Sequence, residues 1–419
     1  MRSMIAGRAA GAGWAWRWLP PETTPDAAVL VTARGVRAFG DGFVSVLLPV
    51  YLLSLGLGGL EIGGLSTATL VGSAALTLLV GLVAHRFKIR PLLVGAALLM
   101  AATGVGFALL RDFWPLMVVA FVGTLNPSSG DVSVFLPLEQ SVLPQTVSPV
   151  QRTALFARYS LIGSLVAAAG SLCAGLPELL AARTALTPTQ ALQGMFLFYG
   201  LLGLISMVLY NRLSPRLEET RQTHAPLRES RRMVYTFAAL FSLDSLGGGF
   251  VVQSLLALWL FQRFDLSVAT AGTIFFWTGV CSAGSYLAAV PLAKRFGLVN
   301  TMVYTHLPSN ILLLLVPFMP NLALAILLLL VRSALSQMDV PTRNSYVMAV
   351  IPPAERPAAA SVTSVPRSLA TAASPLLSGY LLGLSSFGWP LVIAGALKGI
   401  YDVLLLAMFA KVKPPEETS

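Results

Sequence analysis

Twelve long apolar stretches follow one another along this chain, near residues 28–55, 61–84, 90–110, 114–143, 150–177, 193–211, 233–262, 267–293, 298–319, 321–350, 355–384 and 387–410. A hydrocarbon core about 30 Å thick takes roughly 20 residues of helix to cross, so each stretch is a candidate span. Backbone inside lipid must satisfy its own hydrogen bonds, which leaves helices or closed barrels. Barrel strands would appear as runs of about ten residues with alternating polarity, and no such alternation occurs. Composition agrees, because 56% of the 419 residues are hydrophobic and only 11% are charged, against about 25% charged in an average soluble domain. Aqueous globular, disordered and nucleic-acid-binding readings are set aside, and the bilayer is the first partner. Pro49, Pro137, Pro291, Pro308, Pro341, Pro366 and Pro375 are expected kink points.

Positive charge orients such a chain. Of 28 Lys and Arg, 18 fall in segments on the side of the termini. Three (Arg111, Arg183, Arg263) fall on the other side, and seven lie inside spans. Both termini are therefore expected in the cytoplasm, in a plasma (inner) membrane. The net charge of +10 is a matter of topology rather than of a nucleic-acid partner. The expected organisation is a cytoplasmic tail at 1–27, a six-helix bundle at 28–211, a linker at 212–232, a second bundle at 233–410 and a cytoplasmic tail at 411–419. Cys173 and Cys281 sit in apolar runs. The three histidines (His85, His224, His306) are far apart. Neither set has metal or disulfide spacing, so no metal and no cofactor is expected. The phosphate-binding G-x-x-x-x-G-K-[ST] pattern is missing as well.

The two halves repeat one another. Ala84-His85-Arg86-Phe87 returns as Ala293-Lys294-Arg295-Phe296, 209 residues on. Gly42-Phe43-Val44 returns as Gly249-Phe250-Val251 after 207, and Asp131-Val132 as Asp339-Val340 after 208. Pro149-x-x-Arg152 returns as Pro353-x-x-Arg356 after 204. Each match is short, but four in order at nearly one offset make an internal duplication. With six spans per copy, the copies share one topology and are related by an axis along the membrane normal.

This layout resembles the major facilitator superfamily of secondary transporters. The loop after the second span, Gly81-Leu82-Val83-Ala84-His85-Arg86-Phe87-Lys88-Ile89-Arg90, is similar to the family's G-x-L-A-D-R-x-G-R-R/K motif. Gly81, Ala84, Arg86 and Arg90 match, whereas His85 replaces the family's Asp and Lys88 its Gly. The resemblance implies an all-α integral membrane fold of twelve helices as two six-helix repeats. It also implies a central cavity lined by spans 1, 4, 7 and 10, and a cytoplasmic latch at the motif loop. The G-P-x-x-G-G pattern of proton-linked drug exporters is missing from span 5.

Charges at bilayer depth cost at least about 2.5–3.5 kcal/mol each on insertion scales, so each asks for a reason. Asp41, Asp131, Asp244 and Asp339 place one acid on each of spans 1, 4, 7 and 10. Asp244 stands four residues before the repeat partner of Asp41, one helical turn away. Arg34, Arg37 and Asp41 form a stripe on span 1, and Arg332, Asp339 and Arg343 another on span 10. Arg158 and Arg367 add positive charge on spans 5 and 11. Asp41, Arg37, Arg34, Asp244, Arg158 and Arg367 are the expected substrate or proton cavity. Asp131, Asp339 and Arg343, with Gly81, His85, Arg86, Arg90, Arg152 and Arg356, are the expected cytoplasmic gate and motif loops. The bland reading of the same charges is a set of self-neutralising pairs that fix helix register. Lys398 and Asp402 on span 12 are read that way. His306, Trp259 and Tyr51 are read as interfacial, and Asn126 and Gln253 either bind substrate or pack. Seven basic residues face six acidic ones across this set, too even a balance to give the sign of a substrate.

The resulting expectation is a non-enzymatic, monomeric transporter moving a small solute by alternating access, coupled to protons through Asp41, Asp244 or Asp131. An uncoupled facilitator and a non-transporting sensor on the same scaffold are the alternatives.

Overall fold

The computed structural model describes residues 19–20, 23–83, 88–128, 133–148, 151–218, 227–352 and 355–409. The helices are α1 (Pro25–Ser54), α2 (Gly59–Val83), α3 (Ile89–Leu109), α4 (Phe113–Val122), α5 (Phe135–Val142), α6 (Arg152–Leu172), α7 (Leu176–Arg183) and α8 (Pro188–Tyr210). The second half has α9 (Arg231–Phe250), α10 (Gln253–Phe264), α11 (Val268–Phe296), α12 (Leu298–Leu315), α13 (Leu322–Ser336), α14 (Asp339–Val350), α15 (Arg356–Leu384) and α16 (Trp389–Phe409). They make twelve passes, because α4 with α5, α6 with α7, α9 with α10 and α13 with α14 each share one. Among the described residues, ten helical stretches are long and apolar enough to cross a membrane. The other two passes are the α4–α5 pair, where α4 has only 10 residues, and α15, which small and hydroxyl residues dilute.

Local chemistry sets the boundaries. Pro188 opens α8 behind a reciprocal cap, in which the Gln190 amide donates to Thr187 Oγ1 (3.3 Å) and the Thr187 amide donates to Gln190 Oε1 (2.9 Å). Such a box satisfies two of the donors that a helix start leaves unpaired. Gly297, at φ 84°, turns the chain between α11 and α12 in a region that side chains rarely adopt. Two of the expected kinks are breaks instead. Pro137 and Pro341 stand in the first turns of the short helices α5 and α14, where a missing N–H costs little. The repeated Pro-x-x-Arg also has a local role. Arg152 Nε donates to the Pro144 carbonyl and Arg356 Nε to the Ile351 carbonyl, both at 3.2 Å, each tying the start of one pass to the end of the one before.

Within the halves the packing is paired: α1 on α6 and α3 on α8 in the first correspond to α9 on α15 and α12 on α16 in the second. Among the described residues the two most extensive crossings between the halves are α2 with α15 and α6 with α11. Both use backbone contact. A Cβ on Gly63 would stand 2.4 Å from the Pro375 carbonyl oxygen, one on Gly379 2.2 Å from that of Gly59, and one on Gly272 2.4 Å from that of Ser171. Small residues let helices approach this closely in lipid, where packing and hydrogen bonds replace the hydrophobic drive. The Leu376 amide donates to Thr67 Oγ1 (2.9 Å) and the Val268 amide to Glu178 Oε1 (2.9 Å) at the same seams. These contacts lie toward the end of the bundle remote from the termini, so the halves are clamped there.

At the terminal end, carboxylates hold the linker. Asp26 accepts from the Ser214 amide (2.8 Å) and hydroxyl (2.7 Å). Glu355 accepts from the amides of Arg228, Glu229 and Ser230 (3.0–3.1 Å) and from the Ser230 hydroxyl (2.5 Å). The Ser230 hydroxyl and these amides hold the Glu355 carboxyl down to about 2.

Two outcomes follow. Because the folded-state value of Glu355 is depressed, its clamp stabilises the protein above the ordinary carboxylate range and is lost as pH falls toward 2. Glu355→Gln lowers Tm at neutral pH, and its Tm changes less than wild type between pH 5 and 2; equal pH profiles would remove the clamp. Gly379→Val cannot close the α2–α15 seam. In a background with Cys173 and Cys281 replaced by Ser, Gln253→Cys then reacts several-fold faster with an impermeant maleimide added opposite the termini.

Candidate functional site

Between the halves, near the middle of the spans, lies a cavity of about 520 Å³. Its walls come from α1, α5 and α6 on one side and from α9, α10, α11, α13, α14, α15 and α16 on the other. Its charged lining is Arg34 and Asp41 from the first half and Asp244, Arg332, Arg367 and Lys398 from the second. Much of the remaining wall is Ser, Thr, Gln and Asn.

Each half carries a buried ionic staple, the first behind this lining and the second reaching it through Asp244 and Lys398. In the first, Glu139 on α5 is fully buried and forms a salt bridge with Arg37 on α1. Both Tyr159 on α6 and Tyr210 on α8 donate to the Glu139 carboxylate, Tyr210 at 2.7 Å. Arg37 Nε also donates to Tyr210 Oη (2.9 Å), and its guanidinium stacks over the Phe135 ring at 4.0 Å. The second half has the same arrangement with the signs exchanged. Asp244 on α9 meets Arg343 on α14 at 3.3 Å, and Lys398 on α16 donates to Asp244 at 2.6 Å. Arg343 also bridges to Asp339, 3.2 Å away and one turn earlier. Arg37 and Asp244 are repeat partners at an offset of 207, and their staple mates lie 102 and 99 residues further on.

The expected residues fall into place around these staples. Arg34 lines the cavity with its guanidinium 5.5 Å from the Tyr159 ring centre. Gly163 opposite it leaves room, since a Cβ there would stand 2.7 Å from Arg34 Nε. Asp41 lines the cavity, and the Tyr199 hydroxyl donates to the Thr124 carbonyl at 3.2 Å. Arg37 belongs to the staple behind the cavity wall, with Glu139 as its salt-bridge mate. Arg367 lines the cavity, its Nε donating to Ser245 Oγ at 3.3 Å. Arg158 is half-buried and is not among the lining residues; its neighbour Tyr159 is. Asp339 and Arg343 form the i, i+4 pair expected from sequence, and they share one charge network with Asp244 rather than making a separate layer. Arg90 donates to Asn211 Oδ1 at 3.4 Å. Gly81 is in the last turn of α2. Asp131, His85 and Arg86 lie outside the described residues.

Other side chains sit differently from the sequence reading. His306 is buried, with Nδ1 2.8 Å from Asp402 Oδ1 and Nε2 3.9 Å from Asp244, so it belongs to the charge network rather than to the interface. Trp259 and Tyr51 are fully buried. Their polar tips donate to the carbonyls of Ser386 (3.2 Å) and Phe107 (2.6 Å), so they pack inside the bundle instead of anchoring at the lipid boundary. Lys398 reaches the cavity from span 12, whereas its partner by spacing, Asp402, bonds with His306 and Asn310. Glu139 was missing from the expected site. The polar i, i+4 spacing of His306 and Asn310 on α12 was the available signal for the Asp402 contact.

Truncating one partner of a buried ion pair costs about 3–5 kcal/mol because the other charge stays behind. Glu139→Ala therefore lowers Tm markedly, and Glu139→Gln, which keeps an acceptor for the two tyrosines, lowers it less. Equal Tm values for both variants and wild type in detergent would show that Glu139 contributes no net stability.

Comparison with known proteins places this architecture. The Major Facilitator Superfamily profile matches residues 30–252 and again 238–419. An uncharacterized membrane protein of Saccharomyces cerevisiae (YJR124C) is 25% identical over 418 residues, which covers 90% of this chain and 93% of that protein. The crystal structure of the nucleoside transporter NupG superposes with a TM-score of 0.70 at 14% identity, covering 93% of this chain and 100% of that one. The xylose transporter XylE from E. coli, in a partially occluded inward-open conformation, gives 0.68 at 14% identity, covering 94% and 99%. At such identities the structural likeness speaks for the fold alone. The profile, by contrast, matches twice, and the two matches together span residues 30–419. The chain belongs to the Major Facilitator Superfamily.

Proposed function

We propose that this protein is a secondary active transporter that moves a small hydrophilic solute by rocking its two halves around the central cavity, coupled to protons. The observation that carries this reading is a polar, charged cavity at mid-membrane depth, lying between two pseudo-equivalent bundles that are clamped together at the end remote from the termini. Opening that clamp and closing the terminal end would expose the same lining to the opposite side of the membrane. Breaks near the cavity within the passes of α9–α10 and α13–α14 give the backbone freedom to adjust there. Non-helical backbone is tolerated at membrane depth where it lines such a space. The 18-to-3 distribution of basic residues supports cytoplasmic termini, so the clamped end faces outward and the conformation is inward-facing. A plasma-membrane, monomeric protein fits the same picture.

Asp41 and Asp244 are the proposed coupling groups. Both line the cavity, one in each half, and both are more than nine-tenths buried. The salt bridges of Asp244 run to α14 and α16, so small shifts of these helices change how well its charge is compensated. A carboxylate that loses its cation partners in a low-dielectric site favours its protonated form. Transport then moves protons and solute together when only one combination of protonation and loading permits rocking.

In proteoliposomes, Asp41→Asn and Asp244→Asn abolish uphill, pH-driven transport and retain solute counterflow. Undiminished uphill transport in both variants removes the coupling assignment. Counterflow in the wild type without any proton flux makes the protein an uncoupled facilitator.

A further inference from the structure

We propose that the transported solute is a small hydrophilic organic anion, whose carboxylate or phosphate group is held by Arg332 and Arg367 of the second half and Arg34 of the first. This rests on the transporter reading and adds the chemical class of its cargo.

The sequence balance of seven basic against six acidic residues gave no sign, but the structure sorts those charges by position. Arg37 and Glu139 neutralise one another behind the wall, and Asp339 sits on Arg343. What faces the cavity among the described residues is four cations, Arg34, Arg332, Arg367 and Lys398, against two acids, Asp41 and Asp244. Lys398 is committed to Asp244 at 2.6 Å, and Arg343 reinforces that carboxylate from behind at 3.3 Å. Arg34 and Asp41 face one another in the first half, so the surplus is the guanidinium groups of Arg332 and Arg367. Arg332 Nε is buried and finds no hydrogen-bond acceptor among the described residues. Arg367 has Nε on a neutral serine hydroxyl and its guanidinium 6.0 Å from the Phe241 ring.

Guanidinium groups at membrane depth without matching anions are costly, and the planar fork of Arg matches a carboxylate or phosphate bidentately. An anion entering the cavity supplies the missing charge. It also supplies a reason for alternation, because Arg34 and the Arg332–Arg367 pair belong to opposite halves. An anion touching both draws the halves together. The rest of the wall says what the anion carries. Ser160, Ser164, Ser171, Ser245, Ser333 and Ser336 all face the space, so hydroxyl or amide substituents find partners. Phe275, Tyr159 and Tyr286 are the aromatic lining residues, a modest share of the wall, which favours a compact polar cargo over a large aromatic one.

The full chain in nanodiscs is titrated with succinate, glucose 6-phosphate and inorganic phosphate, and with uncharged succinamide and cationic putrescine as contrasts. Binding is read by thermal shift, and transport by counterflow in proteoliposomes. The expected result is a saturable rise in Tm with at least one organic anion. Arg332→Gln and Arg367→Gln weaken it by about tenfold or more, and Arg367→Lys weakens it less. The carboxylate and phosphate arms decide which anionic group is read. Size-exclusion profiles identify a variant that fails to fold, and the wild-type ranking of anion over succinamide and putrescine then stands as the independent test. A wild type that binds succinamide or putrescine as well as any anion, or binds none of the anions, overturns the proposal. An arginine-dependent anion shift with no counterflow of any probe leaves the anion site standing and overturns the transporter reading instead.

Discussion

The structure depends first on the buried ion pair between the first and fourth passes of each half. A charge at bilayer depth is tolerated only when paired, solvated or hydrogen-bonded, so Glu139 inside the first bundle dictates where α1, α6 and α8 must stand. All three send it a donor: Arg37, Tyr159 and Tyr210. The second bundle solves the same problem with the charge reversed, the acid on α9 and the bases on α14 and α16. A pair of opposite sign is equally well satisfied whichever partner carries which charge, so the duplicated frame keeps the contact while the identities change. The two networks differ in exposure. The first is closed off by aromatic rings, whereas the second opens onto the cavity through Asp244 and Lys398. One half is thus held by its staple, and the other presents part of its staple to whatever enters.

Glycine does the complementary work between the halves. Where Gly59, Gly63 and Gly379 meet, and where Gly272 meets Ser171, backbone lies against backbone, with no room for a Cβ. Contacts of this kind hold by shape and by a few hydrogen bonds, one of them to the Glu178 carboxylate, without the buried ion pairs that lock each bundle internally. Strong buried pairs within the halves and shallow contacts between them are the mechanical condition for two rigid bodies that move against one another. Helix pairs packed within each half correspond across the repeat, and so do the two main crossings that join the halves, so the pseudo-symmetry extends to the interface between them.

Much of this was legible in the linear chain. Run length and the shortage of charge require helical spans, because lipid forbids unsatisfied backbone and a charge-poor surface of this size is unsuited to water. The offset near 207 announces two equivalent bundles, and the Pro-x-x-Arg repeat reappears as two matching side-chain ties at 3.2 Å. The i, i+4 pair of Asp339 and Arg343 is readable because helix geometry alone brings such residues together. The Arg37–Glu139 and Asp244–Lys398 contacts are different. They join residues 102 and 154 positions apart, and spacing within a helix says nothing about which face meets which neighbour. Tyr51, Trp259 and His306 carry the composition of interface residues, yet each has its polar tip satisfied inside the bundle.

The sequence by itself determined the membrane, the twelve passes, the duplication and the small inventory of intramembrane charges, because each follows from period, length and count. Only the tertiary structure decided which of those charges cancel and which remain facing the cavity. The physical reason is that pairing is a matter of a few ångströms between helices. Within one helix Arg37 is poised for Asp41, whereas across helices its salt-bridge mate is Glu139. That choice leaves Asp41 on the cavity wall.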